Sequence, residues 1–358
     1  TLPLGERSFS LDHQYLDDGN SPGNGTSQDE YAIEVTVADD DTGVADDALS
    51  TIVQNVAPEF TSVFATPVIN EDGTVTVSGE FTDPGTLDVH QVTVTWGDGT
   101  SETITLPLGE RSFSLDHQYL DDGKSPGNGT PEDPYTIDVV LTDDDTGVAE
   151  RTLGTVVQNV APEFTSVFAT PVINEDGTVT LSGEFTDPGT LDVHEVTVDW
   201  GDGTSETITL PQGERSFSLE HQYLDDGLSP GNGTPQDEYE ITVSVADDDT
   251  GVDDDALSTI VQNVAPDFTS VFATPVINED GTVTVSGEFT DPGTLDVHQV
   301  TVDWGDGTSE TITLPLGERS FSLDHQYLDD GNSPGNGTSQ DEYAIEVTVA
   351  DDDTGVAD

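Results

Sequence analysis

The chain has 358 residues, enough for roughly two to four ordinary domains. Its 74 Asp+Glu against 6 Lys+Arg give a formal net charge of −68, which repels nucleic acid and anionic membranes and attracts cations. Cys and Met are absent, which excludes disulfides and thiolate metal sites, so any staple has to come from oxygen ligands.

No apolar run reaches membrane-spanning length, so direct membrane insertion is not expected. There is no initiator Met and no signal peptide, and the natural termini are expected to lie outside this window. The acidity has three readings: divalent-cation binding, adaptation to a very salty medium, or a merely solvated acidic surface.

The string TLPLGERSFS opens the chain at Thr1 and returns at Thr105 and Thr313, with TLPQGERSFS at Thr209, a constant step of 104 residues. Gln-Asn-Val-Ala-Pro recurs on the same step at Gln54, Gln158 and Gln262. With Asn-Val-Ala-Pro as the linker, residues 1–54 are the second half of a repeat. Residues 55–158 and 159–262 are whole repeats, and 263–358 stops short of its last strand. Residues 1–46 are identical to 313–358, so the sequence returns to itself after three repeats, as expected for a window on a longer array. A half repeat is not expected to bury its own core.

Within residues 55–158, apolar side chains alternate with Thr, Ser or Asp. Val75, Val77 and Phe81 come first, then Val92, Val94 and Trp96, then Ile104 and Leu106. Phe113, Leu115, His117 and Tyr119 follow, and Tyr135, Ile137, Val139 and Leu141 close the series. A period of two marks half-buried antiparallel strands. The separators are turn chemistry: Asn70-Glu71-Asp72-Gly73, Asp83-Pro84-Gly85, Gly97-Asp98-Gly99 and Asp143-Asp144-Asp145-Thr146-Gly147. About seven short strands per repeat, with almost no helix, predict an all-β chain of tandem immunoglobulin-like antiparallel β-sandwiches arranged as beads on a string.

Trp96-Gly97-Asp98-Gly99-Thr100, His117-Gln118-Tyr119 and the strand from Tyr135 to Asp143 together resemble the polycystic kidney disease (PKD) domain family. The motif returns at Trp200-Gly201-Asp202-Gly203 and Trp304-Gly305-Asp306-Gly307, so the resemblance covers the chain. Phe81-Thr82-Asp83-Pro84-Gly85 and the Asn-Val-Ala-Pro linker resemble the variant found in very large bacterial surface proteins. The resemblance implies an extracellular β-sandwich used as a spacer, adhesion or protein-contact module, sometimes calcium-bound. The insert from Leu120 to Thr130 stands where that family usually has a short turn, and the resemblance assigns it no role.

In an immunoglobulin-like strand order, the loops holding Asp83 and Asp88 and holding Asp143, Asp144 and Asp145 lie at the end where the chain arrives from the previous repeat. The arriving linker adds Asn55. Such a set suits a hard cation that takes about 6–8 oxygens. It recurs as Asn159, Asp187, Asp192, Asp247, Asp248 and Asp249, and again as Asn263, Asp291, Asp296, Asp351, Asp352 and Asp353. The far end carries Glu71, Asp72, Asp98, Asp121 and Asp122, which would face the next repeat. Ca²⁺ between the two sets would neutralise and stiffen each junction. The alternative is that Asp and Gly simply make turns, and DDDTG lacks the ligand alternation and terminal Glu of an EF-hand.

His117 is expected at the core edge, and His90 beside a loop Asp, with no Cys to suggest zinc. Arg111, with its copies Arg7, Arg215 and Arg319, is expected to pair with a carboxylate. Asn24, Asn128, Asn232 and Asn336 head Asn-Gly-Thr, which is both a glycosylation pattern and a good turn. No nucleophile elbow, HExxH or phosphate loop is present, and enzyme activity is not expected.

The leading expectation is an extracellular or cell-surface structural array, a stalk, fibre or filament whose partners are other copies of itself, head-to-tail or lateral. The alternatives are an array of adhesin or glycan- or protein-binding modules, or a spacer in a giant secreted protein.

Overall fold

The computed structural model describes residues 1–19, 23–123, 127–227, 232–331 and 337–358, and among them no helix forms. The all-β class and immunoglobulin-like sandwiches read from the alternation are what the structure shows. The chain makes two compact units. One comprises Thr1–Val160, Pro188–Asp192 and Asp248–Thr250; the other comprises Ala161–Asp187, Val193–Asp247 and Gly251–Asp358.

The first unit begins with the antiparallel hairpin β1 (Gln28–Ala38) and β2 (Val44–Gln54). Then follow β3 (Glu59–Ala65), β4 (Val68–Asn70), β5 (Thr74–Thr82), β6 (Gln91–Thr95), β7 (Ser101–Thr105), β8 (Ser112–Gln118), β9 (Glu132–Thr142) and β10 (Val148–Gln158). One sheet is ordered β3-β5-β8 and the other β4-β10-β9-β6-β7. All pairings are antiparallel except β4 with β10.

The sequence led us to expect about seven strands, and the described residues of 59–158 form eight because the first one splits. Pro67 offers no N–H to continue a ladder, and its carbonyl instead accepts Val156 N at 3.0 Å, which carries β4 into the opposite sheet.

The inward parity is the one the alternation indicated. Val75, Val77 and Phe81 of β5 face Val92, Val94, Trp96, Ile137, Val139, Leu141 and Val157 of the other sheet, each at most 3% exposed. Each such aliphatic side chain contributes about 1.5–3 kcal/mol when fully buried. In the hairpin β1–β2 the corresponding Ile33 and Val37 are 37% and 50% exposed, against 0% for Ile137 and Leu141 one repeat on. The equivalent strand buries this face only where a second sheet covers it.

The second unit repeats the pattern with β11 (Glu163–Ala169), β12 (Val172–Asn174), β13 (Thr178–Thr186), β14 (Glu195–Asp199), β15 (Ser205–Thr209), β16 (Ser216–Gln222), β17 (Gln236–Ala246) and β18 (Val252–Gln262). Then come β19 (Asp267–Ala273), β20 (Gly281–Thr290), β21 (Gln299–Asp303), β22 (Ser309–Thr313), β23 (Ser320–Tyr327), β24 (Glu346–Ala350) and β25 (Val356–Ala357). Its sheets are β11-β13-β16, β12-β18-β17-β14-β15, β19-β20-β23 and β22-β21-β24-β25.

The Trp-Gly-Asp-Gly turn anchors each core to its loops. Trp96 is 1% exposed, stacks on His117 with centroids 4.8 Å apart, and its carbonyl accepts the Tyr119 hydroxyl at 2.6 Å. Gly97 and Gly99 both have positive φ, at 88° and 97°. A Cβ on Gly97 would fall 2.4 Å from the Thr136 carbonyl oxygen, whereas one on Gly99 would meet nothing within 4 Å. Gly99→Ala should therefore cost about 1–2 kcal/mol for the left-handed conformation alone. Gly97→Ala should cost a further ~1–3 kcal/mol for overpacking. Urea midpoints of the two variants check this ordering, and equal midpoints would show that the contact with Thr136 does not constrain the turn.

Candidate metal centre in the loop clusters

The three aspartates of each DDDTG turn do different work. Asp143 closes its own turn: Oδ1 accepts Asp145 N (3.0 Å) and Gly147 N (2.6 Å), and Oδ2 accepts Asn55 Nδ2 (2.9 Å). Asn55 Nδ2 also donates to the Asp145 carbonyl at 3.0 Å, so the arriving linker is tied to the turn. The ties recur: Asp247 accepts Gly251 N, and Asp351 accepts Asp353 N, Gly355 N and Asn263 Nδ2. Asn159 and Asn263 donate to the carbonyls of Asp249 and Asp353.

Asp144 links two loops, with Oδ1 accepting Val89 N at 2.8 Å and Oδ2 accepting Gly23 N at 2.5 Å. Asp145 Oδ1 accepts Asn24 N (2.9 Å) and Gly25 N (3.0 Å), while its Oδ2 is buried with no partner. The acceptors repeat at Asp248 and Asp249 from Gly127, Asn128 and Gly129, and at Asp353 from Gly233. Asp352 accepts Val297 N.

Consecutive backbone N–H groups of the insert thus make an anion cradle for the acidic turn of the following repeat. Sequence reasoning missed this role. The signal for it was the Pro-Gly-Asn-Gly-Thr string, unchanged in all four copies.

Asp83 is held on both sides, by Gly85 N at 2.8 Å and by His90 Nε2 at 2.9 Å, in a pair whose side chains are at most 1% exposed. Asp187–His194 and Asp291–His298 repeat it at 2.8 Å. Asp88 lies beside that pair, 2% exposed, with neither oxygen hydrogen-bonded. One ligand atom each from Asp83, Asp88 and His90 lies within 4.8 Å of the others. Gly85 permits this approach, since a Cβ there would sit 2.1 Å from Asp88 Oδ2.

Arg111 does not take the carboxylate that the sequence suggested. Asp83 is already occupied by His90, and Arg111 donates to the carbonyls of Gly85 (2.9 Å) and Glu110 (3.1 Å) and lies 5.6 Å over the Phe81 ring.

Of the far-end set, Asp72 and Asp98 are drawn off. Asp72 Oδ1 accepts Gln118 Nε2 at 2.7 Å, and Asp98 accepts Thr100 N at 2.8 Å and pairs with His117 at 2.7 Å. The others turn inward. Asp17, Asp18 and Asp145 form one group within 4.8 Å, and Glu71, Asp121 and Asp192 form another. Asp17 and Asp18 are residues that the sequence reading left out, because their counterparts Asp121 and Asp122 stood in the opposite set. Both oxygens of Asp17, Asp88, Asp122, Asp225, Asp226 and Asp296 are buried with no hydrogen-bond partner. Backbone N–H groups relieve part of the load, with Val160 N on Glu71 Oε1 (2.7 Å) and Val264 N on Glu175 Oε1 (2.6 Å).

Burial, followed by neighbouring carboxylates, raises the affinity of these groups for protons. It pushes Asp18 to about 6, Asp88 and Asp226 to about 7, Asp122 and Glu175 to about 8 and Asp296 to about 9. Asp122 feels Asp249, Glu71 and Asp121; Asp296 feels Glu175, Asp291 and Asp225. An arrangement of buried oxygens without hydrogen-bond donors accepts protons or a hard cation.

Asn24, Asn128 and Asn232 are exposed, with Nδ2 donated to Asp29, Asp133 and Asp237. Asn336 lies outside the described residues.

No family model and no curated protein matches the sequence. Among solved structures, a tetra-tandem repeat in the extending region of a large adhesion protein aligns with TM-score 0.46 and 18% identity, covering 92% of this chain and 79% of that one. Sidekick-1 immunoglobulin domains 1–5 align with TM-score 0.33 and 13% identity over 85% and 58%. A two-domain fibronectin type III segment from chicken tenascin aligns with TM-score 0.29 and 12% identity over 57% and 98%. Each of the three is a tandem array of repeats or domains.

The raised carboxyl values set a pH dependence for the metal-free protein. Unfolded, these groups titrate near 3.8 for Asp and 4.5 for Glu, whereas folded Asp88, Asp122, Glu175, Asp226 and Asp296 hold protons up to about 7–9. The folded state then binds more protons at these groups, so their contribution to stability is full below about pH 4 and is lost as pH rises towards 9. Urea unfolding in EDTA across that range measures it, and Asp122→Asn should flatten the slope. A flat wild-type profile would mean that the clusters are hydrated.

Proposed function

We propose that this chain is part of an extracellular structural array, a stalk or filament, whose successive repeats are joined by divalent cations, Ca²⁺ foremost. The observation that carries the reading is the set of buried carboxylates with both oxygens unpartnered, placed where the loops of one repeat meet those of the next. Ionised and unpaired, such groups are too costly to bury. The donors are almost all oxygens, numerous and on loops, which suits a cation of about 6–8 oxygen ligands better than one demanding nitrogen or sulfur. Asp17, Asp18, Asp88 and Asp145 would hold the ion in the first cluster, with their counterparts one and two repeats later.

The repeats are read as PKD-type sandwiches bounded at residues 54, 158 and 262, on the Trp-Gly-Asp-Gly turn and the Asn-Val-Ala-Pro linker. Adaptation to high salt explains an exposed acidic surface but not acids at 0% exposure, such as Asp122 and Asp226. An adhesin would turn the insert towards an outside partner. Its Gly127–Gly129 amides hold Asp248 and Asp249 instead, which favours a structural role.

Melting followed by circular dichroism, in Ca²⁺, in Mg²⁺ and in EDTA, tests the reading together with small-angle scattering. Ca²⁺ at about 100 times Kd should add about 2.7 kcal/mol per ion that the unfolded chain does not bind. The scattering curve should become that of a straighter particle. Identical melting and scattering in Ca²⁺ and EDTA would overturn it; recovery of the full effect by NaCl alone would point to salt adaptation.

A further inference from the structure

Resting on that reading, the charge balance of a complete cluster carries it further. In the first compact unit, Glu71, Asp121, Asp122, Asp192 and Asp249 are each at most 4% exposed. One divalent ion would leave three of those five charges buried and uncompensated, and a second would leave one. The geometry supplies two positions. Glu71, Asp121 and Asp192 bring one oxygen each within 4.8 Å. Asp17, Asp18 and Asp145 do the same, and one repeat later these are Asp121, Asp122 and Asp249. Asp121 belongs to the first group and is the counterpart of Asp17 in the second. Its Oδ1 accepts Gly123 N at 3.3 Å and its Oδ2 is buried without a partner. Asp122, 0% exposed with both oxygens unpartnered, belongs to one group, and Glu71 to the other.

The second unit has the same composition. Glu175, Asp225, Asp226, Asp296 and Asp353 are each at most 4% exposed, and neither Asp225 nor Asp296 has a hydrogen-bonding partner for either oxygen. Their carboxyls press on one another, that of Asp353 most strongly on Asp225.

We propose that each complete cluster holds two divalent cations, with the carboxylate of Asp121, or of Asp225 in the second unit, shared between them. Glu71 and Asp192 complete one position, and Asp122 and Asp249 complete the other. The same division falls on Glu175 and Asp296 against Asp226 and Asp353.

The test counts Ca²⁺ bound to the metal-free chain of 358 residues by equilibrium dialysis and elemental analysis. The wild type should take up two ions for each of the two clusters that have the glutamate, and at least one for the Asp17 cluster. Glu71→Gln and Asp122→Asn should each lose one ion per chain, and Asp121→Asn should lose two. Glu175→Gln, Asp226→Asn and Asp225→Asn should repeat the pattern independently, so a folding failure in one cluster leaves the other to decide. The Trp96, Trp200 and Trp304 fluorescence reports that the cores are intact. One ion per cluster, or a loss of one with Asp121→Asn and Asp225→Asn, overturns the shared site while leaving cation-joined repeats standing. No bound Ca²⁺ at all overturns both.

Discussion

Carboxylates that have lost water and gained no hydrogen-bond donor are the constraint on which the rest of this structure turns. Asp122 and Asp226 are fully buried, and neither has a donor for either oxygen. A charge in that position is tolerated only with a proton or a counter-ion beside it. The sandwiches supply the rigidity that makes the position unavoidable. Trp96, Ile137 and Leu141 fix β6 and β9, and the loops that follow these strands inherit their placement. The cores are small and apolar, the loop clusters are acidic and dry, and the two are joined by turns whose conformations are set by Gly97, Asp72 and Thr146 at positive φ.

Asp is a turn residue and a cation ligand for the same reason, a short side chain carrying two acceptors. The sequence alone cannot say which use a given Asp serves. Asp143, Asp144 and Asp145 are adjacent and identical in type, yet one closes its own turn and one bridges to Val89 and Gly23. The third keeps a buried oxygen free. What separates them is where the backbone N–H donors of other loops fall, which depends on contacts across about 90–120 residues of sequence.

The strands were legible for the opposite reason. Their signal is local, a period of two in Val, Thr, Ile and Tyr, and it placed Ile137, Val139 and Leu141 on the core face correctly. The repeat was legible because 104-residue identity needs no structural inference. The split of β3 from β4 was missed although Pro67 marks it, since a proline at a strand end and one inside a broken strand look alike. Arg111 was expected on a carboxylate because charge complementarity ignores the backbone carbonyls of Gly85 and Glu110 that it meets instead. Asp17 and Asp18 were missed through the choice of frame: the cluster is assembled from two repeats, so no single repeat displays all its carboxylates.

The insert resolves how such a cluster stays assembled. Gly127, Asn128 and Gly129 direct their N–H groups at Asp248 and Asp249, giving partial positive charge to one side of the acidic turn. The linker residue Asn159 spans the same gap, its N–H on the Pro131 carbonyl at 3.1 Å and its side-chain amide on the Asp249 carbonyl at 3.1 Å. Val160 adds its N–H to Glu71. Asn159 and Val160 are thus held at three donors. Each of those donors ends on the acidic turn, on the insert that cradles it, or on a carboxylate of the cluster. An insert that must fit the same acidic turn in every repeat has little room to vary. That is the physical reason for Pro-Gly-Asn-Gly-Thr to recur unchanged while Asn20, Lys124 and Leu228, three residues before its first glycine, differ from copy to copy.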